Sequence, residues 1–300
     1  SCRDQAGNSN YSSTVSINVS EPPSVTLESP DYNYSTQNTD ITLEYIPTDN
    51  TGIDNCDLIL NGIVDQNDAN PDNGIINSFS LLGLAENRYI WSVNCTDYFG
   101  LSNQSENRTF FIDLTGPAIE LQEPNYSEVH VGSNVYFNYT VTDNFGSSML
   151  CNISIDGNVE YTDIVSPNNT MTGRNFTIDN EIEHFWNVTC TDPAGNFNKS
   201  ETWNFTVIIP PVVQLITPEE NFKTNESTFN FTYFTEDSGD IENASLIINS
   251  EINQTNYSVD NGNYNTFSVS DLADGVYNWT VTVFDDTSLS TTPDVRTFTI

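Results

Sequence analysis

The sequence predicts an all-β chain of tandem sandwiches, and three observations predict it. Tryptophans recur at Trp91, Trp186 and Trp279, at intervals of about 94 residues. Around each, apolar and polar residues alternate with the period of a half-buried strand. No segment carries the apolar stripe that a helix needs to bury one side.

The repeat is legible in more than its tryptophans. Cys95, Cys190 and Val283 follow them by four positions, and Cys56, Cys151 and Ala244 precede those by 39. The third repeat has therefore lost both cysteines together, which is what a disulfide predicts, since a leftover thiol is a liability in an oxidising compartment. The expected bonds are Cys56–Cys95 and Cys151–Cys190. Each repeat also restarts alike, in Pro23-Ser-Val-Thr-Leu-Glu-Ser-Pro30, Pro117-Ala-Ile-Glu-Leu-Gln-Glu-Pro124 and Pro211-Val-Val-Gln-Leu-Ile-Thr-Pro218. Proline suits a first, edge strand, where a missing N–H costs little. Domains are expected at 21–115, 116–209 and 210–300. Residues 1–20 read as the last two strands of a preceding domain, because Cys2-Arg-Asp-Gln-Ala-Gly-Asn8 matches Cys190-Thr-Asp-Pro-Ala-Gly-Asn196. Cys2 is then unpaired within this chain, its partner expected upstream; strands donated to a neighbouring subunit are the alternative reading of this segment.

Alternation assigns the faces. Phe137, Tyr139 and Val141 point one way and Asn138 and Thr140 the other; Phe229, Phe231 and Tyr233 oppose Asn230 and Thr232. The sets Tyr89, Trp91, Val93, Cys95 and Trp186, Val188, Cys190 and Tyr277, Trp279, Val281, Val283 are expected inside. Asn-Gly pairs at Asn61, Asn73 and Asn261 mark tight turns. Roughly seven short strands per repeat is the rhythm of an immunoglobulin-like or fibronectin-III-like sandwich. The two cysteine strands would then be neighbours in one sheet. Closing such a loop stabilises by roughly 4 kcal/mol on the chain-entropy model. The third repeat relies on Ala244 and Val283 instead and is expected to unfold most easily.

The pattern Trp186-Asn-Val-Thr-Cys190-Thr-Asp192-Pro-Ala-Gly-Asn196, followed by an alternating strand and a proline-led restart, resembles the tandem Ig-like repeats of bacterial and archaeal cell-surface proteins. The resemblance spans the chain and implies a stalk, an adhesin arm, a surface-layer part or a filament subunit. Asp97-Tyr-Phe-Gly and Asp285-Asp-Thr-Ser depart from the turn motif.

Charge excludes some partners. Seven basic residues against 42 acidic ones give a net charge of −35, which repels nucleic acid and anionic lipid. That acidity favours cations and suits a salt-adapted source or an acidic cell surface. The longest apolar run, 207–213, is short and contains Pro210 and Pro211, so no direct membrane insertion is expected. No basic-then-apolar leader opens the chain.

Twenty Asn-x-Ser/Thr sequons occur, at Asn10, Asn18, Asn33, Asn94, Asn103, Asn107, Asn125, Asn138, Asn152, Asn168, Asn175, Asn187, Asn198, Asn204, Asn225, Asn230, Asn243, Asn253, Asn256 and Asn278. Random placement of the same residues would give about nine. Asn94, Asn138, Asn152, Asn187, Asn204, Asn230 and Asn278 fall opposite the aromatic set of their strands, where a glycan could stand.

Catalytic constellations are not expected. His130 and His184 stand alone and read as surface residues, and no nucleophile elbow, phosphate loop or zinc-helix signature occurs. Calcium is the cofactor the residues suggest. Asp49, Asp143 and Asp237 recur after the second strand and Asp97, Asp192 and Asp285 after the cysteine strand, in loops that could join at each interdomain end. The competing reading is turn chemistry, in which Asp binds its own backbone. The expected function is structural: a glycosylated extracellular rod or filament subunit on a prokaryotic, archaeal cell surface, packed against neighbouring copies or further Ig-like domains. The alternative is an adhesin, for which the stretch from Asn253 to Phe267, with Tyr257 and Tyr264, is a candidate surface.

Overall fold

The computed structural model describes residues 2–10 and 19–300 of the 300-residue chain, and within them every regular element is a β-strand. The chain divides into two compact units. The first holds Ser1–Gly116 with Asn144–Gly146 and Asp192–Asn196; the second holds Pro117–Asp143, Ser147–Thr191 and Phe197–Ile300.

In the first unit, β1 (Cys2–Arg3) pairs with β2 (Ser9–Asn10). One sandwich follows, made of β3 (Ser24–Ser29), β4 (Tyr34–Thr36), β5 (Ile41–Thr48), β6 (Ile53–Leu60), β7 (Ile63–Asp68), β8 (Asn77–Leu81), β9 (Asn87–Asp97), β10 (Ser102–Gln104) and β11 (Arg108–Ile112). Its sheets are β3-β5-β8 and β4-β11-β9-β6-β7, with β10 added on β9. All pairings are antiparallel except β4 on β11.

The second unit contains the same arrangement twice. Its three-stranded sheets are Ala118–Glu123, Asn134–Thr142, Thr170–Thr177 and Val212–Thr217, Phe229–Glu236, Asn263–Val269. The partner sheets centre on Glu183–Thr191 and Val276–Asp285 and are again edged by one parallel pair. A three-stranded sheet facing a six-stranded one, in this strand order, is an immunoglobulin-like, fibronectin-III-like sandwich. The protein is a tandem array of such sandwiches.

Each sandwich owns a core. Leu43, Tyr45, Trp91, Val93 and Phe110 are fully buried in the first, Phe137, Tyr139, Trp186 and Phe205 in the second, and Phe231, Tyr233, Trp279 and Phe298 in the third. Burying an aromatic of this size brings about 150–250 Å² out of water, so the aromatics dominate each core. The hairpin turns after the Cys56, Cys151 and Ala244 strands use positive φ at two successive residues: Asn61-Gly62, Asp156-Gly157 and Asn249-Ser250. Such turns match the right-handed twist of the flanking strands.

Candidate functional site

The cysteines meet on adjacent strands of one sheet. Cys56 lies directly opposite Cys95, and Cys151 opposite Cys190, each pair disulfide-bonded with Cα atoms 4.1 Å apart. Ala244 stands opposite Val283 in the same register, and all six residues are fully buried. Cys2 is exposed with a free thiol.

One turn asparagine or aspartate steadies the tryptophan strand in every sandwich. Asn61 Oδ1 accepts from Ile90 N, Asp156 Oδ1 from Phe185 N, and Asn249 Oδ1 from Asn278 N, at 2.9–3.0 Å. Only Asp156 has a second carboxylate oxygen to offer, and it lies 2.7 Å from His184 Nδ1. His184 is therefore not a surface residue: it is 3% exposed, packed on Phe205, with its other nitrogen 3.3 Å from Asn180 O. Its position at the start of a strand concealed this, because the partner comes from a hairpin 28 residues away.

The six candidate calcium aspartates all do turn work. Asp49 N donates to Asn73 Oδ1, Asp143 N to Asn168 Oδ1 and Asp237 N to Asn261 Oδ1, at 2.9–3.0 Å. At the end of each tryptophan strand, Oδ1 accepts the amide four residues on: Leu101 N for Asp97, Asn196 N for Asp192 and Leu289 N for Asp285, each at 2.8 Å. Asp4 does the same for Asn8 at 2.9 Å. Local turn chemistry thus accounts for the first oxygen.

In the first unit, hydroxyls connect Asp49 to Asp97. Thr51 Oγ1 donates to Asp49 Oδ1 at 2.6 Å and lies 3.4 Å from Ser20 Oγ, which donates to Asp97 Oδ2 at 2.5 Å. Burial pushes the Asp97 carboxyl up, but the donors Ser20 Oγ, Leu101 N, Phe99 N and Gly100 N outweigh it and hold it below its ordinary value. Asp113 and Asp192, also in this unit, bring carboxylate oxygens within 4.8 Å of each other, with Asn196 Nδ2 donating to Asp113 O and Asp192 Oδ2. In the second unit, Asp237 is raised from its ordinary value, first by burial and then by the charges of Glu181, Asp285 and Asp286.

The sequon asparagines divide by exposure. Asn10 and Asn18 lie outside the residues whose side chains are described, leaving 18 of the 20. Asn33, Asn103, Asn107, Asn125, Asn175, Asn198, Asn225, Asn230 and Asn253 are exposed. Asn94, Asn152, Asn168, Asn204, Asn243, Asn256 and Asn278 are half-buried. Asn138 and Asn187, expected to face water, do not: they are 3% and 8% exposed. Asn138 Nδ2 donates to Glu123 Oε2 across the sheet at 2.8 Å. Asn187 occupies the position after the tryptophan, which is buried in all three sandwiches; Ser92 is 1% and Thr280 4% exposed. The interrupted last strand covers that position, through Gln104 Nε2 on Ser92 Oγ and Thr280 Oγ1 on Pro293 O.

Tyr257 and Tyr264 of the candidate adhesin stretch are 75% and 68% exposed, whereas Phe267 turns inward and stacks on Tyr233.

No protein-family model matches the chain, and no curated protein matches it. Solved structures similar to it include the I-band fragment I67-I69 from titin, with 9% identity, 93% of this chain and 98% of that one covered, and a TM-score of 0.46. Another is from a 1.5-MDa bacterial ice-binding adhesin, at 20% identity, coverage of 93% and 96%, and a TM-score of 0.36. The FN1-FN3 domains of chicken CNTN1 match at 10% identity, coverage of 93% and 98%, and a TM-score of 0.28. The assignment to immunoglobulin-like sandwiches rests on the chain's own sheet order.

Proposed function

We propose that the chain is a structural segment of an extracellular cell-surface assembly, a filament, stalk or surface-layer-type array, glycosylated on its outer faces and without catalysis of its own. Its partners in this reading are neighbouring copies or further Ig-like domains, on a prokaryotic, archaeal cell. The observation that carries it is the placement of the sequons: of 18 asparagines, nine are exposed and two are buried, in a chain whose cross-strand disulfides need an oxidising compartment. Among the exposed ones, Asn33, Asn107, Asn175, Asn225, Asn230 and Asn253 leave Nδ2 unused by described residues, and these are the expected attachment points.

Glycopeptide mapping of the natively purified protein, with a thiol count under non-reducing conditions, tests this reading. Glycans on the exposed set, none on Asn138 or Asn187, and oxidised Cys56, Cys95, Cys151 and Cys190 are expected. Unmodified sequons together with reduced cysteines would refute it. A second reading, an adhesin binding carbohydrate or protein, draws on the exposed Tyr257 and Tyr264 of the third sandwich, since exposed tyrosines are favoured in binding surfaces. Binding to a glycan panel that is lost in Tyr257→Ala with Tyr264→Ala would favour it over a purely structural role.

A further inference from the structure

A short polar pair spans the outer face of the three-stranded sheet in the first and third sandwiches, and the second sandwich replaces it. Thr42 stands opposite Ser80 in the first, and Asn230 opposite Ser268 in the third, where Ser268 Oγ donates to Asn230 Oδ1 at 2.8 Å. The equivalent pair in the second sandwich is Tyr136 opposite Asn175. The neighbouring position on the same edge strand changes too, Ser78 and Thr266 giving way to Gly173. Three positions of one face thus depart together.

The glycine has a steric reason. Glycine weakens a strand interior and marks a place where something approaches closely. Tyr136 Oη and Cζ lie 2.5 and 2.6 Å from the point where a side chain on Gly173 would begin, and Phe137 O lies 2.8 Å from it. The tyrosine therefore reaches diagonally across the sheet and rests on bare backbone of the edge strand, with 39% of its surface still exposed. Asn175 follows two residues on, facing the same way, about 7 Å further along the strand. It is exposed, it opens the sequon Asn175-Phe-Thr177, and its Nδ2 is unused by described residues. Its backbone is anchored, because Tyr161 Oη donates to Asn175 O. A fixed attachment point and a solvent-facing aromatic ring share one surface.

We propose that Tyr136 is the seat of an N-glycan on Asn175, the C–H face of the first sugar stacking on the tyrosine ring. The inference rests on the glycosylation reading above and goes one step beyond it, to the protein surface that the glycan covers. The face of an aromatic ring is electron-rich and attracts the weakly positive C–H bonds that line one side of a pyranose. Residues directly opposite on one face have Cβ atoms about 4.5–5.5 Å apart, close enough for a sugar on Nδ2 to fold back over the ring. Covalent attachment makes the contact intramolecular, so even weak stacking is populated. Asn230 in the third sandwich, faced by Ser268, has no ring opposite.

The test compares the full chain, purified from its native host, with Thr177→Ala, which removes the sequon and leaves Asn175 in place. Tetranitromethane nitration and hydrogen exchange are the readouts. Tyr136 is expected to nitrate several-fold more slowly in the glycosylated parent than in Thr177→Ala, with Tyr264 unchanged. Loss of the glycan should speed exchange in Asn134–Thr142 and Thr170–Thr177, both in the parent and in Tyr136→Phe, which keeps the ring. In Tyr136→Thr, which installs the side chain of Thr42, the same loss should leave exchange unmoved. Equal nitration with and without the glycan, or the same exchange shift in Tyr136→Thr as in Tyr136→Phe, would overturn the seat and leave the glycosylation reading standing. A bare Asn175 would overturn the seat as well; if every sequon is bare and the cysteines are reduced, the reading falls with it. If Tyr136→Thr fails to fold, the nitration comparison decides alone.

Discussion

A disulfide grafted into the third sandwich tests the repeat at its most exacting. Ala244 and Val283 face each other in the register that Cys56–Cys95 and Cys151–Cys190 occupy, and both are fully buried. The perturbation is Ala244→Cys with Val283→Cys. A bond there closes the same 39-residue separation as the natural ones. Loop closure of that length removes about 13 cal/mol/K from the unfolded chain, or about 4 kcal/mol at 25 °C. Substitution itself changes core volume at both sites, so oxidised and reduced forms of the same double variant are the proper comparison. Guanidinium unfolding followed by hydrogen exchange, with the Trp279 strand as reporter, reads the difference. The oxidised form is expected to move from the least protected sandwich to one matching the other two. Failure of the thiols to couple, or an oxidised form no more stable than the reduced one, would refute the reasoning, because the third repeat would then not share the geometry of its siblings.

Two further outcomes follow from single side chains. Arg108 Nη1 donates to Glu28 O and Pro30 O at 3.0 and 2.9 Å, and Nη2 to Leu27 O at 2.6 Å; Arg108→Met should therefore cost the first sandwich about 2–3 kcal/mol in urea unfolding, and a change under about 0.5 kcal/mol would contradict that role. The Asp97 carboxyl is lower folded than unfolded, so its stabilisation is present above the unfolded pKa of about 3.9 and is lost as pH falls through the lower folded value. Ser20→Ala should then shift acid unfolding of the first sandwich to higher pH, which a circular-dichroism pH titration would register.

Much of this architecture was legible because it depends on residues close in sequence or on strict periods. Trp91, Trp186 and Trp279 are buried at equivalent places, and the alternation around them sorts inside from outside with few errors. Those errors share a cause. Asn138 and Asn187 sit on the polar face of central strands, and alternation reports only which way a side chain leaves its own strand. Whether that face is open depends on what lies over it: Glu123 at Asn138, and at Ser92 and Thr280, the positions equivalent to Asn187, Gln104 and Pro293 of the interrupted last strand. His184 was misread for the same reason, although Asp156 stands where the other repeats have Asn61 and Asn249. An aspartate replacing an asparagine that uses only one oxygen hints at a further donor, and His184 is that donor.

One exchange between repeats shows how a chain this acidic uses its few cations. The carbonyl of the proline closing each first strand must find a donor. Arg108 serves Pro30 O, and Arg296 serves Pro218 O at 3.4 Å and Ile216 O at 2.9 Å. In the second sandwich Trp203 takes the place of the arginine, packing edge-on against Trp186, and Trp186 Nε1 donates to Pro124 O at 3.2 Å. Among the described residues, Trp91 and Trp279 leave that nitrogen without an acceptor, since the guanidinium has claimed the carbonyl. Two of the seven basic residues, Arg108 and Arg296, are thus committed to the carbonyls around these prolines, Arg174 Nη1 donates to Gly173 O, and His130 and His184 stand beside Glu128 and Asp156. Carboxylate charge is left to be answered by amides, by hydroxyls such as Ser20 and by ions from solution. At Asp285 both of the first two act on one oxygen, Thr287 N, Thr287 Oγ1 and Leu289 N all donating to Oδ1.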